Sequence, residues 1–263
     1  MIILAFLVPL LLGVFVWRLL PAKSEGAGLL GNVFLAWGVG VGVASQIALY
    51  VTLASGRCIP AVIVLTGVGM MGLFWWLSRR GQVARHGYSA VSLVQALFVI
   101  LAMWLLLFLA IHLPAGGYDA WSLWNYRAAS IFIGWDGWTG VFHNQVQGKH
   151  PWLVPFFTVW GWSFAGQGTF WLPLLTAVFM ATATVGLLVF AVGEERGLWW
   201  ALLAGLLLLS VPFFTWHAVS QYASIFVAYY ALAAVISFRR ADSDNWTGWF
   251  ILCGIFLGFL ASS

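Results

Sequence analysis

Eight apolar runs, nearly free of charge, recur along this chain at 2–20, 29–53, 59–77, 91–113, 170–192, 198–213, 222–238 and 246–262. A helix rising about 1.5 Å per residue needs roughly 20 such residues to cross a hydrocarbon core about 30 Å thick. Backbone in hydrocarbon must satisfy its own hydrogen bonds, and a helix does so within one segment. The expected fold is therefore all-α: a polytopic transmembrane helix bundle of about eight spans, forming a single transmembrane domain over 1–263. Only 7% of the residues are charged, against about 25% in a soluble domain, so the lipid bilayer is the solvent.

The eleven basic residues lie mostly in short gaps between runs, where Lys and Arg mark the cytoplasmic side. The stretch 151–164 decides the count, because it is short and contains Pro155, which suits a re-entrant or interfacial segment. If it does not cross, Arg18, Lys23, Arg79, Arg80, Arg85, Arg196, Arg239 and Arg240 share one side, and Arg57, Arg127 and Lys149 the other. If it crosses, that asymmetry nearly vanishes. The non-crossing parity puts the amino terminus and the long loop 114–150 outside. A basic balance of this origin concerns orientation and headgroups. With no basic stripe to track a phosphate backbone, nucleic acid is not an expected partner.

Other features read as structural. Run 1–17 lacks a basic n-region and a small-residue cleavage site before Arg18, and is expected to be a retained helix. Cys58 and Cys253 have no partners at metal-ligand spacing. Gly38, Gly40 and Gly42 form a GxGxG run inside a span and after no strand, which is helix packing. The clusters Glu194-Glu195-Arg196 and Arg239-Arg240 are expected to be solvated loop ends.

The loop 114–150 gathers most of the polar chemistry: Asp119, Arg127, Asp136, His143, Lys149 and His150. Within it Trp121, Trp124, Ala128 and Ile131 recur at helical spacing, with Asn125, Arg127 and Ser130 elsewhere on the wheel. This predicts an amphipathic interfacial helix with its indoles at headgroup depth and Asp119 at its start. Asp119 is also a good N-cap. Trp135-Asp136-Gly137 is a turn signal, Arg127 suits snorkelling, and His143 and His150 suit solvation.

The segments Tyr118-Asp119-Ala120-Trp121, then Trp124 and Arg127, then His150-Pro151-Trp152-Leu153-Val154-Pro155 resemble the GT-C superfamily of membrane glycosyltransferases, which includes protein mannosyltransferases and the lipid A aminoarabinose transferase. The likeness covers roughly residues 91–240. It implies inverting transfer of a sugar from a polyprenyl-phosphate donor to a glycan or lipid acceptor at the external face of a bacterial-type inner membrane. Asp119 would be the catalytic carboxylate, taking a proton from the acceptor or holding a divalent cation against the donor phosphate. Arg127, Lys149 and His150 would meet that phosphate, Trp121 and Trp124 the prenyl chain or a sugar, and His217 is a further candidate. The chain departs from the family where His217-Ala218-Val219-Ser220-Gln221-Tyr222-Ala223-Ser224 carries Ser224 in place of a second acidic residue. Family chains usually continue further, so 1–263 reads as an amino-terminal portion. The alternative is a non-catalytic bundle: a truncated or inactive relative, a scaffold, or a transporter-like protein, the last disfavoured by span centres nearly devoid of charge.

Overall fold

The computed structural model describes residues 2–19, 29–78, 90–134, 140, 151–244 and 247–263. Among these are eleven α-helices: α1 (Ile2–Leu19), α2 (Leu29–Ser55), α3 (Pro60–Ser78), α4 (Ala90–Ala110), α5 (Asn125–Ile133), α6 (Leu153–Ala165), α7 (Trp171–Arg196), α8 (Leu198–Ser210), α9 (Pro212–Val219), α10 (Ser224–Asp244) and α11 (Thr247–Ala261). A π-helical turn, Ala120–Trp124, leads into α5.

Six of the helices are long and apolar enough to cross a membrane, namely α1, α2, α3, α4, α7 and α10, and the bent pair α8–α9 makes a seventh. The chain is thus a multi-pass integral membrane protein of six or seven candidate spans among the described residues, fewer than the eight expected. Two runs account for the difference. The run 198–213 is broken at Pro212, which follows an extended Val211 (φ −75°, ψ 109°), and α9 leaves α8 at 69°. Proline lacks an N–H and disfavours helical backbone in the residue before it, so the continuous apolar run does not give a continuous helix. The last run yields only the 15-residue α11, which rises about 22 Å.

The helices pack at close range where glycine allows it. A Cβ on Gly40 would overlap the Pro9 carbonyl, and one on Gly13 the Ala36 carbonyl, so α1 and α2 touch backbone to backbone. Along the GxGxG run Gly38 receives Tyr229, Gly40 receives α1 and Gly42 receives Phe259, giving each glycine its own neighbour. Tyr229 and Tyr230, buried on α10, donate their hydroxyls to the carbonyls of Phe34 and Gly38 at 2.6 and 3.0 Å.

Side-chain contacts define two ends of the bundle. At one, the Trp17 ring stands edge-on to Trp249 at 5.1 Å, the Arg240 guanidinium lies 4.9 Å from the Trp249 ring, and Arg239 and Arg240 pair with Glu195 and Glu194. Arg18, Arg196, Arg239 and Arg240 all belong to this basic end. The two acid–base clusters expected to be merely solvated therefore cross-link α7 to α10, although exposed pairs of this kind contribute only about 0–1 kcal/mol each. At the opposite end lie Arg57, Arg127, the turn after α4, and the connections α2–α3, α6–α7 and α9–α10.

Helix α6 is enclosed by protein. Every residue from Leu153 to Phe164 is buried. Ser45 Oγ donates to the Leu153 carbonyl (2.8 Å), Leu153 N–H to that of Ser262 (2.8 Å) and Trp160 Nε1 to that of Ala5 (3.1 Å). Both ends of α6 meet the nine-residue α5: Trp152 lies against Arg127, and Trp162 contacts Phe132 at 5.7 Å. At 13 residues α6 is shorter than a span, and a short segment of this kind is tolerated among spans when protein surrounds it.

Beside the C-terminal half of α6, Cys58 is buried in the α2–α3 turn. Burial pushes its thiol up to about 11, against the opposing effect of a hydrogen bond with Ser163. The thiolate is the reactive form, so at neutral pH maleimide labelling of Cys58 in the folded protein is expected to run at least ~10²-fold slower than for a free thiol. Labelling at the free-thiol rate would show that the turn opens.

Candidate functional site

The site is built by two turns at the end of the bundle opposite the basic cluster. Past α4, Gly116 adopts φ +75° and Gly117 N–H donates to the Ser220 carbonyl at 3.0 Å. On the other turn, Gln221 takes φ +60°, a region that a side chain enters at a cost of about 1–3 kcal/mol. Its amide is used at both ends, donating to the Pro114 carbonyl (2.9 Å) and accepting from Asn125 Nδ2 (3.2 Å). These bonds offset the strain and clamp the Pro114–Asn125 stretch onto the α9–α10 connection.

Both glycines are required by space. A Cβ on Gly116 would sit 2.8 Å from the Ser220 carbonyl oxygen, and one on Gly117 2.6 Å from the Tyr222 hydroxyl. Gly117→Val is expected to open the clamp, raising proteolytic cleavage in 111–124 at least ~10-fold while leaving the spans assembled. Gln221→Ala should do the same more weakly, because two hydrogen bonds of ~1 kcal/mol each are lost. Cleavage unchanged in both variants would mean that the turns are held otherwise.

The clamp joins the stretch that carries Asp119 to the α9–α10 connection beside His217. The Asp119 carboxylate is exposed and within electrostatic reach of the His217 ring. His217 Nδ1 pairs with the Ser224 hydroxyl at the start of α10, while its ring packs against Phe213 (3.8 Å) and edge-on to Tyr222 (5.1 Å). The imidazole is thus held on three sides. Asp119 itself makes no capping hydrogen bond and has helical backbone angles (φ −66°, ψ −27°), so the N-cap expected of it is not formed. Its carboxylate is committed to no local structural role.

Trp121 and Tyr118 stand edge to face at 5.0 Å. Trp121 is 55% exposed and lines an open groove of about 760 Å³ together with Asn125, Phe132, Trp162, Thr169 and Phe170. Asp119 is not part of that lining. The expected wheel is corrected here. Trp124, Ala128 and Ile131 are buried as an apolar face should be, but so is Arg127, 0% exposed. Its guanidinium lies 4.7 Å from the Trp152 ring and 6.0 Å from the Trp124 ring. Positions 124, 127, 128 and 131 are one helical face, so Arg127 sits on the buried stripe, while the wide π-turn rotates Trp121 off it. Burial lowers the Arg127 guanidinium to about 10, and it remains charged at neutral pH. Asp136, His143, Lys149 and His150 lie outside the described residues.

A divalent cation finds little here. Among the described residues no three His, Cys, Asp or Glu side chains converge, and the pair available is one carboxylate and one imidazole whose Nδ1 is already bonded. These residues do not form a metal-binding set. Gln221, Asn125 and Tyr222 had no signal in the sequence, since their role depends on two turns meeting from distant segments. No protein-family model, curated protein or solved structure matches the chain.

Proposed function

We propose that this end of the bundle faces outward and carries a GT-C-type glycosyl transfer site, moving a sugar from a polyprenyl-phosphate donor to an envelope glycan or lipid acceptor in a bacterial-type inner membrane. The observation that carries the reading is an exposed, uncapped Asp119 carboxylate within electrostatic reach of His217, beside the two-turn clamp. Asp119 belongs to the segments that resemble the superfamily, and its charge reaches the His217 ring. The orientation is supported by Arg18, Arg196, Arg239 and Arg240 at the other end, where a cytoplasmic face is expected.

In this reading Asp119 accepts the proton of an acceptor hydroxyl as that oxygen attacks the sugar from the face opposite the phosphate. His217, oriented by Ser224, holds the carboxylate's electrostatic environment and is placed to donate a hydrogen bond to departing phosphate. The aromatic groove beside Trp121, with the Asn125 and Thr169 side chains, suits a sugar ring or the first prenyl units. Lys149 and His150 remain proposed phosphate contacts. Arg127, being buried, serves best as the charged core that positions α5 over α6.

A non-catalytic scaffold is the second reading, favoured by one observation: Asp119 stands outside the aromatic groove. Transfer from a polyprenyl-phosphate sugar in membranes containing Asp119→Asn or Asp119→Ala separates the two. Activity retained in both variants overturns the catalytic reading, and absence of any transfer by the wild-type chain favours the scaffold.

A further inference from the structure

At the basic end, α7 and α10 diverge around a crevice of about 600 Å³. Its walls are apolar, from Leu188 and Val192 on α7 and from Leu232 and Val235 on α10. Val235 is 56% exposed, so the slot opens sideways toward lipid. Its rim is charged: Glu194, Glu195 and Arg196 on one side, Arg239 and Arg240 on the other. Three arginines face two glutamates, and each glutamate is held by an arginine of α10. Arg196 makes no ion pair with any described residue and is exposed.

We infer that this crevice binds an anionic phospholipid of the leaflet at the basic end, with the phosphate between Arg196 and Arg239 and one acyl chain in the slot below. Two features select this ligand. The rim carries a net positive charge, with one arginine uncommitted and a second, Arg239, shared with Glu195 across an exposed 2.9 Å contact. The apolar walls run from Leu188 to the rim, about 12 Å along the helix, which a soluble phosphate would leave empty. A membrane surface also concentrates lipid headgroups at this depth, and each basic residue there adds about 1 kcal/mol toward an anionic one. The inference is independent of the transfer reading, since it concerns the opposite end of the bundle.

The test uses the full chain in nanodiscs of phosphatidylcholine with phosphatidylglycerol, scoring the lipid molecules retained after extraction by native mass spectrometry. Wild-type protein is expected to retain phosphatidylglycerol in preference to phosphatidylcholine. Arg196→Gln, at an exposed position that the fold does not use, should weaken that retention about fivefold. Glu195→Gln should strengthen it by releasing Arg239, and Arg57→Gln at the other end should leave it unchanged. Inorganic phosphate in excess should not displace the lipid. Equal retention of both lipids, wild-type retention in Arg196→Gln, loss of retention in Arg57→Gln, or displacement by inorganic phosphate would each overturn the proposal.

Discussion

Asp119→Asn is expected to lower sugar transfer by about 10²–10⁴-fold, the usual contribution of a general base, without changing the fraction of folded protein. The amide keeps the shape of the side chain and loses only its ability to take a proton. Nothing structural is removed with it, because the carboxylate is exposed and forms no cap. Asp119→Glu should recover part of the activity, and His217→Gln should cost less than Asp119→Asn, since the imidazole touches the chemistry through the carboxylate and phosphate. Thermal melting in detergent checks the folded fraction. A melting temperature that falls in step with activity would assign Asp119 a structural role.

Gly40→Val is expected to be the most damaging single change to the bundle, costing at least ~3 kcal/mol. The added side chain would have to occupy the Pro9 carbonyl, and neither backbone has a side-chain rotamer to yield. Relief requires α1 to move off α2, which also withdraws the Ala5 carbonyl from Trp160 in buried α6. Small residues are what permit such approach in lipid, where the hydrophobic effect adds little between helices. Gly72→Val on α3 is the control, because a Cβ there meets nothing within 4 Å. Denaturation in mixed micelles should separate the two variants clearly, and equal stabilities would refute the backbone contact.

Hydropathy located nearly every helix because each span's apolar length is a local property of the chain. It overran where backbone chemistry intervened: Pro212 divides a run that remains apolar on both sides. The short stretch with Pro155 was legible as shorter than a span, yet its complete burial was not, since burial is conferred by α1, α2, α3, α5 and α7 closing around it. In the candidate site Asp119 stood out as a carboxylate just past a span. Its approach to within electrostatic reach of His217 was invisible, because it depends on Gly117 and Gln221 bonding across two turns far apart in sequence. Arg127 was misplaced by treating charge as a guide to exposure, when the i, i+3, i+4 and i+7 spacing with Trp124, Ala128 and Ile131 already assigned it inward.

The elbow between α8 and α9 has a consequence for the membrane itself. Helix α8 rises only about 20 Å, with Trp199 and Trp200 exposed at one extremity and Phe213 and Trp216 exposed past the other. Aromatic rings favour the headgroup level, and α8 alone is shorter than a full hydrocarbon thickness, so on this flank a span of ordinary depth is reached only by the bent pair acting together.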